Sequence, residues 1–410
     1  MSRVSFVTGI GRRWFDLTLS FRVLAAGARR LGLVAFPREL SRYLRDNRNL
    51  LAGAADRYVQ RDGQIYAAAA LPPLSSRAFV EYLCDEVETF NHKKLSPIVM
   101  ALVSVTCRCP YRCAYCYALE ELRDEEVVPA AALARSLADL ERLKIPTVFL
   151  TGGEVMMRRE ELPTILEPCR ASGTAVWLVS SGWGMTREAL EGLLPSGLCG
   201  VVISLDSCRE DEVRKMKGHP DAFKNALGAI EAATSLDLLV SVDCIATPRL
   251  LEPGELEAFM EFLASRGVHF VNFLPLQKTG GALREKVPFL TTQQFMELDR
   301  LMRAANRGRR HRGWPLAYSP MVWEAQRGCT AGQQFVFVNP LGEVRPCPFL
   351  REPVGNIRDT PLAEVVGRMR GGGERQGCYV MYAGLPTRTR LGGVRRLPVL
   401  QDDDPGRSST

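Results

Sequence analysis

The sequence is short of several things, and each shortage removes a class of function. Histidine occurs only four times in 410 residues, at His92, His219, His269 and His311. That scatter offers no pair for a metal centre or for nucleophilic catalysis. No run of about 18 uncharged apolar residues is present, so no membrane-spanning helix is expected. The formal net charge of +7 is small for this length; it permits anionic partners but does not by itself indicate nucleic acid, and none is expected. A secretory signal is not expected either, because Asp16 and Arg22 interrupt any apolar core near the start and no clear cleavage site follows. Without an oxidising destination, twelve cysteines read as metal ligands plus buried thiols rather than as a disulfide frame, in a reducing compartment such as the cytoplasm.

What is present is ordinary globular material. With 46% hydrophobic and 24% charged residues, the chain can bury a full core in two to three folding units. Residues 1–95 read as an accessory region with helical stretches and one hairpin, Arg57–Tyr66, turning on Asp62-Gly63. Its first thirty residues mix Arg3, Arg12, Arg13, Arg22, Arg29 and Arg30 with Trp14, Phe15, Leu17, Leu19, Phe21 and Leu24. Two readings fit this pattern. One is a basic amphipathic helix that associates weakly with an anionic membrane surface or touches a partner. The other, and the commoner way to build a surface helix, is docking on the protein with the arginines in water.

From about residue 96 a rhythm sets in. Apolar runs at 98–105, 147–150, 175–180, 200–205, 238–245 and 268–274 alternate with helical patterns at 129–144, 159–173, 186–194, 221–236, 254–266 and 291–307. Continuous apolar strands separated by helices predict parallel βαβ units. Right-handed crossovers would curl them into a partial (β/α)6 TIM-like barrel over 96–310, with its site at the strand ends. Polar motifs fall at those ends: the cysteines Cys109, Cys113 and Cys116 after strand one, Thr151-Gly152-Gly153-Glu154 after strand two, Ser180-Ser181 after strand three, and Ser204-Leu205-Asp206 after strand four. A C-terminal extension, 311–382, holds a β-hairpin between Cys329 and Cys347, and the Arg-, Gly- and Pro-rich tail, 383–410, is expected to fray.

The spacing Cys109-x3-Cys113-x2-Cys116 suits a tight loop around one corner of a [4Fe–4S] cluster; the alternative is a coincidental cluster of thiols or a zinc site completed by Cys107. Three thiolates would leave one iron open to a substrate or cofactor. A glycine pair lets backbone approach a ligand closely, and Glu154 can accept hydrogen bonds from an amine. For Ser180, Ser181, Ser204 and Asp206, binding of hydroxyl or carboxylate groups competes with simple capping of the next turn.

With Tyr115 before the last cysteine, the cysteine triplet resembles the signature of the radical S-adenosylmethionine (radical SAM) enzymes, and Gly152-Gly153-Glu154 resembles their "GGE" segment. Pro110 and Val155-Met156 depart from the usual pattern. The resemblance spans about 95–280. It implies a cluster on Cys109, Cys113 and Cys116, with SAM held by Tyr115, Gly152, Gly153, Glu154, Ser180, Ser181, Ser204 and Asp206. It further implies reductive cleavage of SAM to a 5′-deoxyadenosyl radical that removes hydrogen from a substrate. Cys329, Gly342 and Cys347 resemble the opening of a SPASM or twitch extension; with Cys378 they would hold one auxiliary Fe–S cluster, unless the extension has lost it. Enzymes of this layout modify peptide or protein side chains, or act in cofactor, tetrapyrrole or lipid-precursor synthesis, and draw electrons from a one-electron reductant such as flavodoxin or ferredoxin. A reading of another class, a non-catalytic Fe–S electron carrier, stands beside these.

Overall fold

A computed structural model of the chain describes residues 4–46, 55–92, 97–277, 279–285, 287–307, 311–320 and 330–371. The accessory region is mostly helical. Strand β1 (Ser5–Val7) leads into α1 (Gly9–Leu31) and α2 (Ala35–Asp46), then the hairpin β2 (Tyr58–Arg61) and β3 (Gln64–Tyr66), then α3 (Arg77–His92). The hairpin turns where the sequence says it should: Asp62 and Gly63 take φ of 49° and 75°, the positive pair that a two-residue turn of this twist requires.

The main body alternates strand and helix: β4 (Met100–Ser104), α4 (Ala130–Arg142), β5 (Thr147–Thr151), α5 (Leu162–Ser172), β6 (Ala175–Ser180), α6 (Arg187–Glu191), β7 (Leu198–Ser204), α7 (Glu210–Lys217), α8 (Ala222–Ser235), β8 (Leu239–Ala246), α9 (Glu255–Ser265) and β9 (Phe270–Pro275). After the short α10 (Gly281–Arg284) and α11 (Thr292–Asn306) come β10 (Leu316–Tyr318), β11 (Phe335–Val338), β12 (Glu343–Arg345), β13 (Gly355–Asn356) and α12 (Leu362–Gly371). The six expected strands lie side by side in chain order and in parallel, and the sheet stays open, as a partial barrel does.

Two further strands extend the six. β10 pairs in parallel with β9 at one edge, and β11 pairs in parallel with β4 at the other. The β11–β12 hairpin is therefore continuous with the main sheet, with β13 completing its antiparallel edge.

Strand alternation divides the core in two. Outward side chains such as Val103, Val148, Leu178, Ile203 and Val242 pack under the helices. Inward ones, Phe149, Trp177, Val202, Leu239, Phe270 and Leu316, meet inside the curve of the sheet. Val59, Tyr66 and Ala69 of the accessory region join that inner cluster. Because Leu239, Phe270 and Leu316 begin their strands, this apolar plug closes the end opposite the motif-bearing loops. Arg57 fixes the plug: fully buried, it donates to the carbonyls of Ala305, Asn306, Trp314 and Pro315.

Candidate active site

The cysteine loop after β4 is clamped by backbone from three other segments. Arg112 and Ala114 amides donate to the carbonyls of Lys217 and Met216 at 3.2 and 2.9 Å, so the loop rides on the C-terminus of α7. The amides of Gly153 and Glu154 donate to Thr106 and Arg108 at 2.9 and 2.8 Å, and that of Gly281 donates to Cys116 at 2.8 Å. Only glycine permits these approaches. A Cβ on Gly153 would lie 2.2 Å from the Arg108 carbonyl oxygen and 2.9 Å from Cys109 Cβ, and one on Gly280 would lie 2.2 Å from the Cys116 carbonyl oxygen.

The three thiols share one environment. Burial pushes Cys109 up to about 12, reinforced by Glu154, Cys113 and Cys116; burial likewise pushes Cys116 up to about 11, with Cys113 adding to it. Cys113 is raised by burial against the opposing pull of Lys217. Protons are thus held until a cation displaces them. Among the described residues no three His, Cys, Asp or Glu side chains converge as one ion would demand.

Glu154, 1% exposed, forms the next layer. Its Oε1 accepts from Ser180 Oγ at 2.7 Å and from the Met156 amide at 3.1 Å. Its Oε2 accepts from the Ser181 amide at 2.9 Å and from Ser181 Oγ. Burial raises its pKa, and those hydrogen bonds oppose the rise without cancelling it. All four donors are neutral, so the carboxylate lacks a hydrogen-bonded cation among them.

On the other side of the loop, Tyr115 donates through its hydroxyl to Asp206 Oδ2 at 2.6 Å, while the Ile245 amide of β8 donates to Oδ1 at 3.0 Å. Lys217 lies 3.4 Å from the same Oδ2, donates to Ser204 Oγ, and places its ammonium 5.2 Å from the centre of the Tyr115 ring. Burial pulls the lysine pKa down, but Asp206 and the Cys113 thiol outweigh it and the net shift is upward. Ser204 and Asp206 are thus brought together with Tyr115, and Ser180 and Ser181 with Glu154.

Lys217 was not singled out from sequence. It sits in Arg214-Lys-Met-Lys217, a run that reads as a solvated helix end; the signal was Gly218, whose φ of 61° ends the helix and tucks Lys217 inward. Gly280-Gly281 was also missed, though a glycine pair soon after a strand repeats the pattern of Gly152-Gly153.

Above the plug the inner wall turns polar. Register aligns Ser204, Asp243, Asn272 and Tyr318 across four adjacent strands. Asn272 Nδ2 donates to Asp243 Oδ1 at 3.1 Å, and Asn272 Oδ1 is buried without a hydrogen-bond partner among the described residues. Burial pushes the Asp243 carboxyl up to about 6 against the Asn272 hydrogen bond and the Lys217 charge.

In the C-terminal part, Cys347 is buried and its Sγ accepts from the Phe349 amide at 3.4 Å. Cys329 and Cys378 lie outside the described residues, as does the tail 383–410. Cys107 points away from the triplet, its thiol donating to the Pro340 carbonyl at 3.3 Å.

Comparison with known proteins bears on this arrangement. Residues 103–263 match the model of the radical SAM superfamily, and 329–370 match SPASM, an iron–sulfur cluster-binding domain. An AdoMet-dependent heme synthase of Methanosarcina barkeri is 25% identical over 288 residues, covering 64% of this chain and 80% of that protein. A PqqA peptide cyclase of Bradyrhizobium diazoefficiens is 26% identical over 255 residues, covering 60% of this chain and 65% of that one. Among solved structures, Streptococcus suis SuiB bound to its precursor peptide SuiA aligns over 82% of this chain and 81% of its own, with a TM-score of 0.56 at 14% identity. The structure anSMEcpe with bound AdoMet aligns over 65% and 80%, with a TM-score of 0.51 at 16% identity.

Residues 103–263 thus carry a radical SAM domain, and the chain is an enzyme. With the SPASM-type iron–sulfur domain matched at 329–370, its cofactors are a [4Fe–4S] cluster, SAM and an auxiliary Fe–S cluster.

Proposed function

We propose that this enzyme modifies a peptide or protein side chain in the cytoplasm, using an electron from flavodoxin or ferredoxin. The observation carrying this reading is the convergence of the cysteine loop, the Glu154 layer and the Lys217 layer at the open end of a barrel plugged at the other. Cys109, Cys113 and Cys116 would hold the [4Fe–4S] cluster; Cys347, with Cys329 and Cys378, would hold the auxiliary one. The residues suit these groups: the thiols are close enough to influence one another and are supported by backbone that tolerates no side chain at Gly153. When bound, the cluster supplies a reducing electron and SAM supplies the carbon-centred radical.

The chain's own residues bind and orient. Glu154 would receive the SAM amine, the hydroxyls of Ser180 and Ser181 rotating aside to free its oxygens. Gly152 and Gly153 let the backbone approach the methionine end. Lys217 supplies the buried positive charge that a carboxylate needs, and Tyr115 and Asp206 keep it aimed at the pocket. Ser204 and Asp206 offer hydroxyl-binding groups. The plug of Phe149, Trp177, Phe270 and Val59 excludes water from below. Substrate polar groups would meet Asp243 and Asn272, whose free Oδ1 needs a donor.

The PqqA peptide cyclase relative and a fold shared with a peptide-bound enzyme favour a peptide. The heme synthase relative favours a tetrapyrrole as the second reading. The test is anaerobic reconstitution, reduction and SAM, with short peptides encoded beside the gene as substrates. The peptide reading expects 5′-deoxyadenosine together with a peptide mass lowered by lost hydrogen. Turnover on a porphyrin precursor with unaltered peptides would favour the second reading.

A further inference from the structure

Helix α1 has two apolar faces, and among the described residues nothing covers one of them. Val23 and Gly27 are buried, and Leu19, Ala26 and Leu31 pack beside them against Phe36, Tyr43, Val80, Cys84 and Val87. Phe15 and Leu19 also meet Ile65, Leu74 and Phe79. That face accounts for the docking of the helix. On the other side Ile10 is 85% exposed, Trp14 69%, Leu17 63% and Phe21 73%, with Leu24 above a third. At 100° per residue these five positions fall within an arc of about 80°. Leu33 and Val34, in the turn that follows, are open as well. A helix that merely covers a core needs a single apolar stripe; the second stripe calls for an occupant.

Charge identifies the occupant. Residues 1–50 hold ten arginines against three acidic residues, an excess of seven that equals the net charge of the entire 410-residue chain. The remaining 360 residues balance. Arg13 and Arg29 are exposed and flank the stripe on opposite sides, and Arg38, Arg42 and Arg45 line the adjoining α2. A second copy of the same face would bring two such segments together and meet their repulsion. A lipid surface bearing negative headgroups takes both features at once, arginines at the phosphates and Trp, Phe and Leu at the acyl boundary.

We propose that the exposed face of α1 seats this enzyme on an anionic membrane surface. The accessory region closes the barrel at the strand-start end, so binding there leaves the cysteine-loop end accessible. The seat is peripheral: among the described residues no helix is long and apolar enough to cross a bilayer.

Flotation of the full-length protein with vesicles tests this without requiring turnover. Vesicles of phosphatidylcholine with phosphatidylglycerol should carry the protein up, at least about tenfold better than phosphatidylcholine alone, and added salt should weaken the binding. Leu17→Glu with Phe21→Glu should abolish flotation, and Arg13→Gln with Arg29→Gln should weaken it while leaving circular dichroism and iron content unchanged. Because the second pair touches no packed side, it tests the idea even if the first pair misfolds. Equal recovery with neutral and anionic vesicles would overturn the proposal. So would a wild-type dimer, seen by light scattering, that fails to float and that the same substitutions dissociate.

Discussion

At the residue scale, the buried charges decide how the site is held. Lys217 and Asp206 are both nearly inaccessible, and each is satisfied chiefly by the other and by Tyr115, Ser204 and the Ile245 amide. Removing one partner strands the other in a low-dielectric interior, at a cost of about 3–5 kcal/mol. Lys217→Met should therefore lower the urea midpoint strongly, whereas Lys217→Met combined with Asp206→Asn should recover most of the loss. A double variant as unstable as the sum of the singles would show that the two charges do not interact. Asp243 makes a separate prediction. Its folded pKa is raised to about 6 from 3.8, so the folded state holds its proton longer than the unfolded state does. Stability contributed by the protonated form is full below about pH 4 and declines as pH rises toward 6. Between about pH 5 and 7 this loss is on the order of 1 kcal/mol. Asp243→Asn cannot titrate, and its unfolding free energy should lack that decline; an unchanged slope would assign it to other groups. Neither Lys217 nor Asp243 was legible in the sequence. Both are charged residues flanked by patterns that read as a solvated helix end and a buried strand, and only strand register and the turn at Gly218 bring them into the site.

At the element scale, the loops were more legible than the edges. The six long strands are continuous apolar runs that only a covered parallel sheet explains, and their helices carry a matching period, so each appears within a few residues of its expected place. β10 and β11 escaped as parts of the barrel sheet because they are three and four residues long and follow no helix-spaced pattern. Their pairing with β9 and β4 is decided by tertiary contact, not by local sequence. The cysteine loop was legible because its chemistry demands unusual residues at fixed spacing. Its clamp was half legible, through Gly152-Gly153. Gly153→Ala tests the clamp: the added methyl meets the Arg108 carbonyl at 2.2 Å, a backbone atom that cannot move aside cheaply. The loop should shift, and the reconstituted protein should lose the site-specific share of its iron, about four per chain. Far-ultraviolet circular dichroism should be unaltered, since the sheet and helices do not depend on that contact. Full iron content in Gly153→Ala would mean that the loop adapts without the close approach.

At the scale of the whole molecule, one sheet joins the parts that the sequence separates. The SPASM-matching segment enters through β11, whose residues Phe335–Val338 pair with Met100–Val103 of β4, the strand that leads straight into the cysteine loop. Tyr117, just after Cys116, packs edge-on against Phe337 and against Phe349, whose amide donates to Cys347 Sγ. The two cysteine-bearing regions thus share a strand pair and an aromatic contact, while their thiols sit on different loops. If each region holds its own cluster, Cys329→Ala with Cys347→Ala should lower iron from about eight to about four per chain. Because Tyr117 and β11 are retained, the remaining cluster should still support reductive cleavage of SAM, measured as 5′-deoxyadenosine, even where substrate turnover falls. Iron that stays near eight would take the hairpin cysteines out of the ligand set. Loss of all iron would mean that the sheet contact couples the two sites so tightly that neither cluster assembles alone.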